Sequence, residues 1–350
     1  MKKLIYGATL VESEKTIEER GEILFFPEGA DKLLSIEGTH WKIRAISLYA
    51  FSDDSDMLTK ENEYIYFYKR PQKPMEGNIF FLDNILSGES LFIASESPDF
   101  VSPTLTVSRG EVWLENGGNA IAIGFGKTSE IEALCRAYYR NAMIHPLPQT
   151  MSNTWGDRNG TERVCRDFVL REIEAAKEIG VDIVQVDDGW QVGQTASPKI
   201  RNALGRRCFR GDFWEVDSER FPNGMKEIGD AARAAGRKFG IWFAPDSEDN
   251  YALLERDIAV LKRAYDEWGV RFFKLDMYWI ESNENRDRFL KLLNAVYSFG
   301  DDVSVQLDVT RDKRINYLCG KEYGSIFVEN RYTKSANSYP CRTLKSPTGF

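Results

Sequence analysis

The chain has 350 residues, more than one ordinary hydrophobic core takes in, so two domains are the first expectation. Its net charge of −8 argues against a broad nucleic-acid footprint, which needs a clustered basic face, and the arginines between Arg201 and Arg210 read as a short solvated loop. No apolar run reaches the roughly 18 residues that a membrane-crossing helix needs.

Five cysteines stand far apart without a CxxC pair, which argues against a disulfide framework or a thiolate zinc site. The two histidines, His40 and His145, leave little for a histidine-rich metal site, and His145 sits in the Pro-flanked segment IHPLPQ. Neither a metal nor an organic cofactor is expected. The start MKKLIYGATLVESEKT makes a poor signal peptide, and localisation stays open between cytoplasm and periplasm.

From residue 1 to about 140, short alternating runs recur between turn clusters of Gly, Pro, Asp and Ser. They are EILFFP, WKIRAISLYAF, YIYFYKR, GNIFFLD, ESLFIASE, TLTVSRGEVWLE and AIAIGFG, and they predict an antiparallel sandwich. A helix over SEIEALCRAYYRNAM follows, and the Pro-rich HPLPQ marks a boundary. The expected domains are therefore 1–145, sandwich plus linker helix, and 146–350.

The second half alternates β and α. Strands are predicted at TMSNTWG, VDIVQVDDGW, FGIWFAPD, VRFFKLDMYW, VSVQLDVT and SIFVENRYT. Amphipathic helices lie between them, the first ending at Gly180. Such alternation means βαβ units and a parallel sheet. No GxGxxG or GxxxxGK[ST] follows a strand, so a nucleotide-binding sheet lacks its usual signature. Polar residues end nearly every strand, as they do at the mouth of a (β/α)8 TIM-type barrel. Only six strands are counted. An incomplete barrel exposes strand edges, so further chain or a second copy in a homo-oligomer is expected to cover them.

Four residues or pairs carry the chemistry. Asp276 follows an apolar run, and Lys274, two residues earlier, shares its side of the strand. An ammonium beside a carboxylate keeps it charged, which suits a nucleophile, the alternative being a buried structural ion pair. Asp187 and Asp188 are a pair that can accept hydrogen bonds from sugar hydroxyls, with Trp190 as an apolar wall, or else cap the next loop or join a metal site. A retaining glycosidase needs a second carboxyl about 5–5.5 Å from the first, and Glu329 and Asp308 are both candidates.

These blocks resemble glycoside hydrolase family 36, the α-galactosidases and raffinose-synthase-like proteins. The resemblance rests on VDIVQVDDGW, GDFWEVDSERFPNGMKEI, GIWFAPD and FFKLDMYW, and covers roughly residues 150–335. It implies sugar-binding aspartates at Asp187 and Asp188, a sugar-facing aromatic at Trp242, and a lysine before the nucleophile at Lys274 and Asp276. Departures exist. Asp246 stands where the family has Glu, and Tyr278 or Trp279 where it has Arg. LDVTRDKRIN replaces a Cys-Ser-Gly turn, with Asp308 near the cysteine's place and Arg314 matching the family's arginine only loosely. Glu329 falls within one residue of the family's acid/base. The resemblance implies a retaining exo-α-glycosidase acting on oligosaccharides or glycosides, with a transglycosylase or a catalytically inactive sugar-binding barrel as alternatives.

Overall fold

The computed structural model describes residues 2–5, 9–12, 18–20, 23–26, 32–37, 40–47, 60–66, 73–96, 104–108, 111–115, 120–142, 149–156, 160–197, 199, 208–308, 323 and 325–327. Thirteen antiparallel strands come first: β1 (Lys2–Ile5), β2 (Thr9–Glu12), β3 (Glu18–Arg20), β4 (Ile23–Phe26), β5 (Lys32–Glu37), β6 (Trp41–Ser47), β7 (Lys60–Tyr66), β8 (Met75–Glu76), β9 (Ile79–Asn84), β10 (Glu89–Ser95), β11 (Thr104–Ser108), β12 (Glu111–Glu115) and β13 (Ile121–Lys127). They form two sheets, ordered β1-β2-β5-β12-β11-β8 and β3-β4-β13-β10-β9-β6-β7.

Period-two alternation decides what each sheet buries. Leu24, Ile43, Leu82, Leu91 and Ile123 of the second sheet meet Met75, Leu105 and Leu114 of the first in one core, so the two sheets pack face to face as expected. The opposite face of the second sheet presents Ile23, Phe81, Phe92 and Ala122 to α1 (Ile131–Ala142), which buries Ile131, Leu134 and Tyr138 there. The strands β1, β2, β3, β5 and β8 were not in the sequence reading. They are two to six residues long, too short for alternation to stand out.

A six-stranded parallel sheet follows. Its strands β14 (Met151–Asn153), β15 (Ile183–Val186), β16 (Lys238–Phe243), β17 (Val270–Asp276), β18 (Ser304–Asp308) and β19 (Ser325–Phe327) pair in chain order. The helices between them are α2 (Arg166–Ile179), α3 (Met225–Ala234), the four-residue turn α4 (Glu248–Tyr251), α5 (Leu254–Trp268) and α6 (Asn283–Tyr297). Each of the longer ones buries one stripe at helical spacing, such as Val169, Ile173 and Ala176 on α2, or Phe289, Leu292, Leu293 and Val296 on α6. Those stripes cover Val184, Val186, Ile241, Phe243, Phe273, Leu275, Val305 and Leu307 on one face of the sheet. The residues between them, including Gln185, Trp242, Lys274, Asp276, Gln306 and Asp308, are left to the other face.

Gly229 of α3 shows how close the helical layer packs. A Cβ added there would lie 1.7 Å from the Trp268 carbonyl oxygen at the end of α5. In an open helix, Gly→Ala stabilises by up to about 1 kcal/mol. Here the clash dominates, so Gly229→Ala is expected to destabilise by about 1–3 kcal/mol in urea unfolding.

Candidate active site

Parallel pairing sets the site's registry. Asn153 lies opposite Gln185, Gln185 opposite Gly240 and Gly240 opposite Phe272. One step nearer the strands' C-terminal ends, Trp242, Lys274 and Gln306 stand side by side, and one step further Asp276 faces Asp308. The residues named from sequence on β16, β17 and β18 therefore share a face and a narrow band at the end of the sheet where βα proteins bind ligands.

Lys274 is the centre of this band. Its side chain is 3% exposed, and its Nζ lies 3.1 Å from Asp187 Oδ2 and 3.2 Å from Asp308 Oδ2. Burial pushes the ammonium's pKa down, but Asp187, Asp308 and Asp276 outweigh it and hold the group above its ordinary value. Asp187 Oδ2 also accepts from Asn153 Nδ2 at 3.0 Å and Gln185 Nε2 at 3.2 Å. Asn153 Nδ2 donates to Gln185 Oε1 as well, at 2.9 Å. Neither amide was singled out as a site residue. The signal was parity, since Gln185 lies two residues before Asp187 on the same side of the strand.

Asp276 is held differently from the expectation. Lys274 pairs with Asp187 and Asp308 and acts on Asp276 through space, while the indole N–H of Trp242 donates to Asp276 Oδ2 at 2.9 Å. The backbone N–H of Met277 donates to Oδ1 at 2.6 Å. Burial and the Asp308 charge push the Asp276 carboxyl up to about 7, against the pull of Lys274 and the Trp242 indole. An adjacent lysine thus does not by itself keep this carboxylate charged, because three carboxylates share it.

The turn after Asp276 is locked from two sides. Met277 takes a left-handed backbone, φ 55°. Trp279 N–H donates to Ser247 Oγ at 3.0 Å, and Tyr251 Oη donates to the Trp279 carbonyl at 2.9 Å. Asp249, Asn250 and Tyr251 are themselves left-handed, at φ 47°, 57° and 57°. Non-glycine residues held this way mark places where surrounding contacts over-determine the backbone.

Two sequence assignments need correction. Trp190 is not an apolar wall for a ligand. It is fully buried, its ring 5.8 Å from Trp214 and 5.5 Å from Trp268, and its indole donates to the Trp242 carbonyl at 2.9 Å. The adjacent Asp187 and Asp188 also divide their work. Asp188 Oδ1 accepts from Gln191 Nε2 at 2.6 Å and Oδ2 from Thr195 Oγ1, so its carboxylate ties down the loop after β15. Asp187 continues the line of β15 and reaches Lys274, while Asp188 already belongs to the turn that follows. Asp246 likewise serves its loop, accepting from the N–H groups of Phe209 and Glu248 and donating its own to Asp257.

Gln306 is one of the polar strand-end residues but was not assigned to the site, and among the described residues its buried Oε1 has no hydrogen-bond partner, which leaves an acceptor beside Lys274. Trp155 at the end of β14 is 37% exposed, with its N–H fixed to Asn153 Oδ1 at 2.7 Å. Glu329 and Arg314 lie outside the described residues. Among the described residues no group of three His, Cys, Asp or Glu could hold a metal, and no helix is long and apolar enough to cross a membrane.

Residues 136–258 match the family model Melibiase. Over that stretch the chain is similar to the melibiase family and to α-galactosidases. It is 31% identical over 80 residues to the α-galactosidase of Escherichia coli, covering 23% of this chain and 10% of the relative. It is 34% identical over 94 residues to α-galactosidase 2 of Pediococcus pentosaceus, covering 27% and 11%. The matched stretches thus span about a tenth of these relatives' length. In fold, the melibiase-like chain resembles the solved α-galactosidase of Thermus thermophilus in complex with stachyose. The TM-score is 0.57 at 16% identity, over 94% of this chain and 77% of that one.

Replacing Lys274 with Met leaves Asp187 and Asp308 buried beside an apolar stem. The expected loss is about 3–5 kcal/mol in urea unfolding, partly recovered when Asp187→Asn and Asp308→Asn are added.

Proposed function

We propose that this melibiase-like chain is a retaining exo-α-glycosidase of the α-galactosidase kind. In this reading residues 146–350 belong to a (β/α)8 catalytic barrel and residues 1–145 to a β-sandwich domain with its linker helix. The observation that carries it is Asp276 at the C-terminal end of β17, with one oxygen on the Trp242 indole and the other on a backbone N–H. Both donors orient the carboxylate without neutralising it. The family likeness and the α-galactosidase fold support the same assignment.

Asp276 attacks the anomeric carbon, and its Oδ forms the new bond as the bond to the leaving oxygen breaks. Glu329 gives its proton to that oxygen. Asp308 is committed to Lys274, so the role of proton donor is given to Glu329. Water then attacks the glycosyl-aspartate, with Glu329 accepting its proton. Asp187, Lys274, Gln306 and Arg314 bind and orient the sugar, and Trp242 orients Asp276. Asp188 contributes by holding the loop beside Asp187. Terminal α-linked galactose in oligosaccharides is the substrate class. An acceptor sugar in place of water would give transfer by the same residues.

Asp276→Ala is expected to lower kcat/KM on p-nitrophenyl α-galactoside by at least 10³-fold while leaving the circular-dichroism melt cooperative. Retained turnover would sink the assignment. A nucleophile must be deprotonated, so kcat/KM is expected to rise with pH through about 7. A limb near pH 4 would show that the nucleophile is another, uncrowded carboxylate.

A further inference from the structure

We propose that Asp308 is a positioning residue that governs the charge state of Asp276, as a second carboxylate competing with it for the single ammonium of Lys274. This rests on the reading of Asp276 as nucleophile, but its physical basis stands on geometry alone. Asp276 and Asp308 are register partners at the ends of neighbouring parallel strands, on the same face of the sheet. Lys274 sits one step below them and bonds Asp308 at 3.2 Å and Asp187 at 3.1 Å.

Among the described residues, the charged groups acting on Asp276 are Lys274 on β17, Asp187 just past β15 and Asp308 on β18, with the neutral Trp242 donor on β16. Lys274 pairs with Asp187 and Asp308 and not with Asp276, so Asp276 faces the Asp308 charge with no ion pair of its own among the described residues. In a buried band, where the effective dielectric is low, that repulsion is weakly screened. The cost falls on the carboxylate that does not bond the ammonium, and that one is Asp276. Burial and the Asp308 charge are accordingly the two largest causes of its upward shift.

Asp308 therefore has two effects. Through Lys274 it draws the ammonium away from Asp276, and through its own charge it favours a proton on Asp276. A sugar whose anomeric centre becomes positive in the transition state relieves the same repulsion, so the crowded pair stabilises that state more than the ground state. On ionisation the Asp276 proton leaves to solvent. The residue at position 308 thus sets the pH range over which the site is armed.

The sign of the stability linkage follows. A carboxyl whose folded-state pKa is raised costs stability above its unfolded value, and stability falls as pH rises from about 4 to about 7. Removing that charge by Asp276→Asn should therefore raise Tm by an amount that grows from pH 4 to pH 7 and then levels.

The test is a double-mutant cycle on the full chain with Asp276→Asn, Asp308→Asn and both. In the Asp308→Asn background, the gain in Tm from Asp276→Asn should level off at least one pH unit lower and be smaller. Identical curves in the two backgrounds would overturn the proposal. The second readout is the acid limb of kcat/KM on p-nitrophenyl α-galactoside. It should move down by at least one unit in Asp308→Asn and stay near wild type in Asp308→Glu, which keeps the charge. A lower plateau with an unmoved limb would reduce Asp308 to a structural part. Should Asp308→Asn fail to fold, Asp308→Ser enters the same cycle with the same criteria. If the wild-type chain turns over no aryl α-glycoside, the glycosidase reading fails, while the melting cycle still decides the coupling.

Discussion

One buried ammonium organises the end of the parallel sheet. Lys274 is enclosed at the level where β15, β17 and β18 each bring a carboxylate, and without it those carboxylates could not share so small a volume. A buried ion pair is seldom a net source of stability, because desolvating its members costs several kcal/mol. Its value here is specificity of arrangement. Asp187 and Asp308 are pulled toward one point from two different strands, and Asn153 and Gln185 complete the hydrogen bonds of Asp187. Asp276 is left outside the pairing, held only by donors that bear no charge.

That asymmetry links packing to reactivity. The helical face of the sheet is filled with Val, Ile, Leu and Phe and closes against α2, α3, α5 and α6. Every second residue is thereby committed to the core, and polar side chains can exist only on the alternate positions. Trp190 and Trp214 anchor the loops on the core side, and Trp190 reaches the Trp242 carbonyl, so the same contact that closes the core also fixes the strand bearing the indole that holds Asp276. A second brace comes from Ser247 and Tyr251, which clasp both backbone groups of Trp279, three residues past Asp276. Rigid support of this kind suits a reacting carboxylate, which must be held in place rather than find its geometry on binding.

The pattern of strands and helices was legible in the chain because period two and period 3.6 differ so plainly. Each of the six predicted parallel strands is present, although the observed segments are shorter than the apolar runs that announced them. The seven sandwich runs likewise became strands, and the short ones between them were invisible. Lys274 and Asp276 could be assigned one face by parity alone. Glu329 and Arg314 lie outside the described residues, and their roles stay with the proposed mechanism.

What the sequence by itself determined was local: the strands, the helices, the spacing KLD and the pair DDGW. What tertiary structure decided was which partner each side chain found. Asp187 and Asp188 are neighbours in the chain, yet one reaches Lys274 across 87 residues and the other ties down its own loop. Trp190 reads as an exposed aromatic beside aspartates and is core. Lys274 reads as the companion of Asp276 and instead pairs with Asp308 of the neighbouring β18 and with Asp187 at the end of β15, two strands away. Spacing along a strand says which side a residue faces. Distances between strands are set by register and by the helices packed behind them, and charge pairing follows those distances.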